Sequence, residues 1–267
     1  MNPTIDCNLV LSKLRIKKIE LMKLKNSTII ITGASSGIGE ATAKKLAKDG
    51  AQVVLMARRK DKLEDLKQAI EKDGGTALVV SGDVTKKKDF DHVVSKAIET
   101  YGKINGLINN AGLMPLSFVE KLKTDEWEQM VDVNIKGVLN GVAAVLPKLK
   151  ENKGGHIINI SSMAAHRYFP GGAVYCATKT AVKMFSEGLR QELAPKYGIN
   201  VTSIEPGAVA TELTDTITDE DIQETMKKMQ EMTTLEAEDI ANAIHYALLQ
   251  PSRVNINDIY LVPSEQQ

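Results

Sequence analysis

Short apolar runs alternate with longer segments of helical spacing along most of this sequence. Residues 28–31, 52–56 and 156–160 are rich in valine and isoleucine, which predicts strands buried on both faces of a sheet. The charged segments 60–72 and 87–101 predict helices between them. Strands that alternate with helices pair in parallel through right-handed crossovers, so the sequence predicts an α/β fold, a doubly wound parallel sheet of the Rossmann type in a single domain. The other predicted elements are helices at 40–49 and 172–196 and strands at 77–80, 105–108, 200–204 and 258–261.

The length and composition limit the class of protein. A chain of 267 residues fits one α/β domain with a sizeable core. Its 34 basic and 34 acidic residues balance, which gives no electrostatic footprint for nucleic acid. The chain has two cysteines, Cys7 and Cys176, so no disulfide framework is indicated and we expect a cytoplasmic protein.

Residues 1–24 differ from the rest of the chain because they are basic, with scattered leucine and isoleucine. Their longest uncharged apolar piece, residues 9–11, is too short for the core of a signal peptide, and no run approaches the length of a membrane span. We interpret this segment as a flexible extension, or as the product of an upstream start codon with the natural start at Met22. An amphipathic surface anchor is the alternative. The domain then covers residues 25–267, and we expect no membrane partner.

The first predicted strand runs into a glycine-rich turn, residues 32–39, which opens a helix. Glycines there allow a tight turn and let the backbone approach a pyrophosphate, while the helix offers unpaired N–H groups and the positive end of its dipole. A position between a strand and a helix is the context that a dinucleotide site requires; a plain tight turn is the alternative. The predicted cofactor-binding residues of this turn are Gly33, Ser35, Ser36, Gly37, Ile38 and Gly39.

The end of the second strand bears on which cofactor is bound. An acidic residue at this position binds a free ribose 2′-hydroxyl, whereas arginine accommodates a 2′-phosphate. The strand runs into Arg58 and Arg59 without an acid, so we expect NADP, with NADPH preferred over NADH. A solvated pair of surface charges is the alternative. Asp83 and Val84 follow the third strand and are placed to meet the adenine, although a helix N-cap explains Asp83 nearly as well.

Tyr175 and Lys179 lie four residues apart in a predicted helix and therefore share one face. A phenol, with a reference pKa of about 10, is a poor base near neutrality, and an ammonium beside it favours the phenolate. Such a pair can donate and accept a proton, although a core tyrosine over a surface lysine has the same spacing. Ser162 precedes the tyrosine by thirteen residues, just after the strand at 156–160.

Together these motifs resemble the short-chain dehydrogenase/reductase family over residues 25–263, nearly the whole chain. The resemblance implies an oxidoreductase that transfers a hydride between NADP(H) and a small alcohol or carbonyl substrate, with the cofactor carrying the chemistry. The matching pieces, all in the family's order, are the turn at 32–39, Asp83, residues 109–112, Asn134, Ser162, Tyr175, Lys179 and residues 206–211.

The resemblance also implies a role for each catalytic residue. Tyr175 is the general acid in reduction and the general base in oxidation, and Ser162, ahead of its neighbour Ser161, holds the substrate oxygen. Lys179 binds the nicotinamide ribose and lowers the pKa of Tyr175. Asn134 holds, through its helix backbone, a water that links Lys179 to solvent. The further cofactor-binding residues implied are Asn110, Ala111, Gly112, Pro206, Gly207, Val209 and Thr211.

The same resemblance suggests a lid and a pocket loop, and the residues themselves indicate a capping box, no metal site and a packed thiol. Residues 212–232 are polar and are expected to form a mobile lid over the substrate. The loop with His166 and Arg167 lines the substrate pocket, where Arg167 either holds a carboxylate or is a surface charge. Residues 233–236 resemble a capping box that opens the next helix. The four histidines show no ligand spacing, so we predict no metal, and we interpret Cys176 as a packed thiol.

The substrate is the least determined part of the prediction. The resemblance is strongest to bacterial members that act on small aldehydes and ketones or on 3-hydroxy acids. We expect a homodimer or homotetramer, because the helices around Asn134 and Tyr175 pair between subunits in the family. Two alternatives stay open: the same chemistry on a bulky lipid-like or sterol-like substrate, and a non-enzymatic protein that senses NADP.

Overall fold

The computed structural model describes residues 24–229 and 233–266 of the chain. The predicted flexible extension, residues 1–24, lies outside these ranges except for Leu24. The Leu24 side chain is buried in the hydrophobic core, so the folded domain includes at least one residue more than predicted.

Seven parallel strands form one sheet in the order β3-β2-β1-β4-β5-β6-β7, which confirms the doubly wound prediction. The order reverses beside β1, which pairs with both β2 and β4. A crevice opens beyond the carboxyl ends of the strands at such a switch point, and ligands of this architecture bind there. The strands are β1 Thr28–Thr32, β2 Gln52–Met56, β3 Thr76–Val79, β4 Gly106–Asn109, β5 Gly155–Ile160, β6 Ile199–Pro206 and β7 Asp258–Leu261.

Helices cover both faces of the sheet. Alternate residues of β1 supply the two cores: Ile29 and Ile31 pack with one set of helices, and Ile30 packs with the other. The first set is α1, α2 and α8, and the second is α3, α5 and α6. The helices are α1 Gly37–Lys48, α2 Lys60–Lys72, α3 Lys87–Tyr101, α4 Thr124–Met130, α5 Gly137–Glu151, α6 Ala173–Tyr197, α7 Glu220–Met229 and α8 Ala237–Leu248.

The chain between β4 and β5 holds one long helical unit. A π-helical turn, Val131–Lys136, joins α4 to α5, so that Thr124–Glu151 is continuous. Contrary to the expectation from sequence, this unit is long and apolar enough by composition to cross a bilayer. Its valines, such as Val142 and Val145, pack in the core beside β4 and β5, so burial against the sheet accounts for its apolar face.

The capping box predicted at residues 233–236 is wrong. The box that opens α8 is formed by Glu236 and Asp239. Leu235 pairs with Val209 in an isolated parallel bridge, and Thr233 donates its hydroxyl to Glu265. This bridge holds the chain extended up to Glu236, so the helix cannot begin earlier.

Candidate active site

The glycine turn leaves the first helix open at its N-terminus. Gly33 and Gly37 have φ of 63° and 54°, the left-handed region that favours glycine. A Cβ on Gly39 would lie 2.3 Å from the Gly33 carbonyl oxygen, so no side chain fits there. Ser36 is the N-cap residue of α1, but its side chain makes no capping hydrogen bond. The free N–H groups at this helix end are therefore available to an anion, which fits the pyrophosphate of a dinucleotide.

Asn110 fastens this turn to the sheet. Its side-chain amide donates to the carbonyl oxygens of Thr32 at 2.9 Å and Gly33 at 3.2 Å. The Thr32 hydroxyl accepts from the backbone N–H groups of Asn110 and Ala111. Both residues were predicted to bind cofactor, and their contacts within the chain position the turn that would hold it.

The two predicted arginines have different surroundings. Arg59 donates to the hydroxyls of Ser35 at 3.0 Å and Ser36 at 2.7 Å, so one guanidinium and two hydroxyls meet beside the turn. The charge of Arg58 instead acts on Asp83, although burial of the Asp83 carboxyl is the largest influence and opposes it. Hydrogen bonds from Thr85, together with Arg58, outweigh this burial and hold the pKa of Asp83 below its usual value. Arg59 is therefore the arginine that joins the predicted phosphate site.

Asp83 and Val84 hold the loop after β3. The Asp83 carboxylate accepts from the backbone N–H and the hydroxyl of Thr85, an Asx turn. It does not cap α3, whose N-cap residue is Lys86. Val84 is buried against α5, where a Cβ on Gly137 would come within 2.9 Å of its methyl group.

Helix α6 brings Tyr175 and Lys179 together under the carboxyl end of β5. Both side chains are buried, and Lys179 Nζ lies 5.7 Å from the centroid of the Tyr175 ring. Lys179 donates to the carbonyl oxygen of Ile160 at 2.9 Å, and the Ser162 hydroxyl hydrogen bonds with Tyr175. The serine, tyrosine and lysine predicted from sequence thus form one cluster.

Burial dominates the proton affinities in this cluster. It raises the pKa of Tyr175 to about 12, against a smaller lowering by the hydrogen bond with Ser162. It lowers the pKa of Lys179 to about 8. Lys179 is not among the groups that shift the pKa of Tyr175 in this structure: its ammonium donates to the Ile160 carbonyl and lies over the Tyr175 ring. The lowering of this pKa by Lys179 that the resemblance implies stays a prediction.

The two adjacent serines are distinguished by their partners. Ser161 donates to the carbonyl oxygen of Lys179 at 2.8 Å, deep in the fold. The Ser162 hydroxyl instead hydrogen bonds with Tyr175 and accepts from the Ala164 N–H at 3.1 Å. Of the two, Ser162, which the sequence analysis ranks first, is the serine whose hydroxyl meets Tyr175, and its role in the reaction stays a prediction.

Asn134 lies in the π-helical turn between α4 and α5. Its side chain accepts from the Leu113 N–H and donates to the Leu113 carbonyl and to Thr178 Oγ1. A Cβ on Gly112 would touch both Asn134 Oδ1 at 3.4 Å and Lys179 Nζ at 3.6 Å. Asn134 is thus next to the lysine, and π-helical turns are often found at functional sites.

The end of β6 and the segment after it border the crevice at the carboxyl ends of the strands. The Pro206 carbonyl accepts from Ser162 Oγ at 3.4 Å, and the Gly207 N–H donates to β7. Val209 pairs with Leu235, as described above. Thr211 lies against the glycine turn, since a Cβ on Gly37 would come within 3.1 Å of its methyl group. Of the four residues predicted to contact cofactor, Pro206 thus lies beside Ser162 and Thr211 beside the glycine turn.

The described part of the predicted lid covers the tyrosine. A 3₁₀ turn, Glu212–Thr216, is followed by Ile217 and then by α7, and residues 230–232 lie outside the described ranges. Ile217 and Ile222 are buried in one apolar cluster with Tyr175 and Leu116. A Cβ on Gly171 would lie 2.4 Å from Ile222, so the lid is packed down on the loop before α6.

A buried charged network was missed in the sequence. Glu205, fully buried at the end of β6, accepts hydrogen bonds from Lys183 at 2.9 and 3.0 Å and from Ser203 at 2.9 Å. His166, from the loop after Ser162, also hydrogen bonds to this carboxylate. The network links the Ser162 loop to β6 and α6. An acid directly before the Pro206-Gly207 motif, in a strand with no other charged residue, was the available signal.

Among the described residues, no group of three or more His, Cys, Asp or Glu side chains could hold a metal ion. Burial raises the pKa of the Cys176 thiol, as for a packed cysteine. Arg167 is exposed, and its loop borders a shallow surface depression that also includes Cys176 and Thr180.

Comparison with known proteins decides the family. The sequence profile of short chain dehydrogenases matches residues 27–222. An uncharacterized oxidoreductase from Staphylococcus saprophyticus is 48% identical over 244 residues, covering 91% of this chain and 98% of the relative. The chain belongs to the short-chain dehydrogenase family. This dehydrogenase is therefore an oxidoreductase, as predicted.

Solved structures with the same fold contain either type of nicotinamide cofactor. A 3-ketoacyl-(acyl-carrier-protein) reductase from Brucella melitensis, complexed with NADH, has a TM-score of 0.79 at 32% identity, covering 91% of this dehydrogenase and 100% of that chain, and two other structures contain NADP-type cofactors. The closed form of a serine dehydrogenase complexed with NADP+ superposes with a TM-score of 0.83 at 32% identity, covering 90% of this dehydrogenase and 96% of that chain. An alcohol dehydrogenase from the archaeon Thermococcus sibiricus, complexed with 5-hydroxy-NADP, has a TM-score of 0.79 at 28% identity, covering 90% and 98%.

Proposed function

We propose that this dehydrogenase transfers a hydride between NADP(H) and a small alcohol or carbonyl substrate, with Tyr175 as the general acid and base. The observation that carries the proposal is the buried cluster of Ser162, Tyr175 and Lys179 at the carboxyl end of β5, beside an open helix N-terminus. A positioned proton donor next to a dinucleotide crevice is what carbonyl reduction requires.

The chain has groups suited to each part of the cofactor. The N–H groups of Gly37, Ile38 and Gly39 suit the pyrophosphate, because the Ser36 side chain leaves them uncapped. Arg59 and the two serine hydroxyls suit a ribose 2′-phosphate. When bound, NADP(H) supplies or accepts the hydride. NADPH is the preferred form in this proposal, because Arg59 offers a charge-assisted fork to the phosphate.

Tyr175 and Ser162 handle the proton at the substrate oxygen. In reduction the Tyr175 phenol donates its proton to that oxygen, and in oxidation the phenolate takes the proton from the alcohol. The Ser162 hydroxyl hydrogen bonds the same oxygen and fixes its position next to the phenol. Lys179 binds ribose hydroxyls, and the positive charge it keeps near neutral pH, with a pKa of about 8, favours the phenolate once it turns toward the phenol.

The lid region favours a small substrate. Side chains of Trp127, Met130 and Val174 meet across the cleft beside the lid, which leaves no room for even a water-sized sphere in this closed arrangement. With Ile217 and Ile222 packed beside Tyr175, a sterol-like substrate would require the lid to move outward. The similar serine dehydrogenase is named for a small substrate.

We further propose a homodimer or homotetramer that works in the cytoplasm. Leu139 on α5 and Met184 on α6 are exposed at 41% and 68%, and an apolar side chain on each of two neighbouring helices suits a subunit contact. The buried, unpaired thiol of Cys176 suits a reducing compartment. Light scattering coupled to size exclusion measures the assembly.

The test is turnover across small aldehydes, ketones and 3-oxo acids, with NADPH and with NADH, for the wild type and a matched pair of serine variants. We expect turnover with NADPH that falls about 10²–10⁴-fold in Ser162→Ala. Ser161→Ala should retain more activity, because Ser161 hydrogen bonds within the fold. Tight NADPH binding without turnover of any of these would instead favour a bulky substrate or an NADP sensor.

A further inference from the structure

Arg59 is shared between the cofactor site and the lid. Its Nη2 atom donates to Ser35 and Ser36 of the glycine turn and also to Glu212 Oε2 at 3.0 Å. Glu212 is the first residue of the 3₁₀ turn Glu212–Thr216, which begins the lid. An ion pair between residues 153 positions apart thus spans the edge of the cofactor crevice.

The carboxylate at this position is charged. The pKa of Glu212 is lowered most by a hydrogen bond with Ser36 and further by Arg59. The sequence has no acid at the end of β2, the usual source of the group that binds a ribose 2′-hydroxyl. The fold supplies a carboxylate in its place from the lid, directly on the guanidinium that would receive a 2′-phosphate.

We propose that Glu212 is a specificity-determining residue for the cofactor: it competes with the 2′-phosphate of NADPH for Arg59 and moderates the preference over NADH. The inference rests on the proposed NADP(H)-dependent function and deepens it. A phosphate carries more charge than a carboxylate and displaces Glu212 from the guanidinium. A cofactor without this phosphate leaves the Arg59–Glu212 pair intact, and the carboxylate can accept a hydrogen bond from the ribose.

The same exchange couples the cofactor to the lid. Thr211, next to Glu212, lies against Gly37 in the glycine turn. Release of Glu212 therefore frees the first turn of the lid at its attachment to the crevice, whereas an intact pair keeps it closed over the turn. We therefore expect the first turn of the lid to be less restrained when NADPH is bound than when NADH is bound.

The test measures dissociation constants for NADPH, NADH, 2′,5′-ADP and 5′-ADP with Glu212→Gln. Asp215→Asn is the matched control, since Asp215 is an exposed acid on the same 3₁₀ turn. Exposed ion pairs are weak, so we expect Glu212→Gln to bind NADPH and 2′,5′-ADP about two- to five-fold more tightly. NADH and 5′-ADP should bind no more tightly than to the wild type, and Asp215→Asn should match the wild type for all four ligands.

Two further measurements separate the inference from the function on which it rests. The gain from Glu212→Gln should vanish in an Arg59→Ala background and shrink at about 1 M salt, where charges are screened beyond about 3 Å. If Arg59→Ala weakens 2′,5′-ADP binding but Glu212→Gln changes nothing, or changes all four ligands equally, the inference is wrong and the NADP site stands. If Arg59→Ala leaves 2′,5′-ADP binding unchanged, the inference about Glu212 and the proposed NADP site at Arg59 are both wrong.

Discussion

Replacing Lys179 by methionine should make the cofactor-free protein more stable while it destroys activity. Burial lowers the pKa of Lys179 to about 8, from 10.5 in the unfolded chain. A lowering of this size means that the charged Lys179 reduces the free energy of unfolding by about 3 kcal/mol at pH 7. Methionine fills a similar volume but gives up the hydrogen bond to Ile160, which contributes about 1 kcal/mol. The net expectation is a gain of about 2 kcal/mol in the free energy of unfolding.

The pH dependence of this gain has a definite sign. Between pH 8 and 10.5 the unfolded chain binds more protons at this lysine than the folded chain, so the stability of the wild type rises with pH there. The free-energy cost of burying the charged lysine is constant below pH 8 and disappears by pH 10.5. The advantage of Lys179→Met should therefore shrink over this window.

Lys183→Met is the matched control, because Lys183 lies one helical turn further along α6 and pairs with the fully buried Glu205. Removing that partner leaves a buried carboxylate with Ser203 and His166 alone, and we expect a loss of about 2–4 kcal/mol. Chemical unfolding at one protein concentration, from pH 7 to about pH 10, measures both variants. If Lys179→Met is no more stable than the wild type at pH 7, or if its gain in unfolding free energy does not change with pH, then burying the charged lysine does not destabilise the fold as argued.

Three other expectations follow from the site. Gly39→Ala should weaken NADPH binding about ten-fold or more in a fluorescence titration, because its Cβ would lie 2.3 Å from the Gly33 oxygen; unchanged affinity would contradict the description of the turn. Burial keeps Tyr175 protonated at neutral pH, with a pKa of about 12 before the cofactor and Lys179 act on it, so alcohol oxidation should become faster as the pH rises above neutrality while carbonyl reduction stays level; pH–rate profiles in both directions decide this. Burial raises the pKa of the Cys176 thiol, so in a Cys7→Ser background iodoacetamide should modify it about ten-fold more slowly than free cysteine; equal rates would show that the thiol is accessible.

Local sequence patterns were sufficient to predict the bounds of helices and strands where the intrinsic propensity of the residues agrees with their packing in the fold. The bounds of α2, α3 and β7 were predicted to the residue, because each has a clear periodicity between turn residues. Helix α1 begins at Gly37 rather than at residue 40 as predicted. Glycine is unfavourable in helices, so the sequence alone favours a later start. In the fold, close contact with the Gly33 carbonyl makes glycine necessary at position 39.

The site itself was predictable in its members but not in its energetics. Ser162, Tyr175 and Lys179 were named from spacing and resemblance, and the loop after β5 and helix α6 bring them together. The pKa of about 12 for Tyr175 depends on burial, which no local pattern reports. Pairs such as Arg59 with Glu212 join residues far apart in the chain, so they become visible only once the fold is known.

The proposal that Tyr175 supplies the proton is tested most directly by the Tyr175→Phe variant. Its rate of NADPH-dependent reduction is measured together with its dissociation constant for NADPH. Phenylalanine keeps the ring in its buried position and removes only the proton donor. We expect a kcat about 10²–10⁴-fold below that of the wild type, with NADPH affinity essentially unchanged. A variant that binds NADPH normally and turns over at the wild-type rate would show that Tyr175 does not supply the proton.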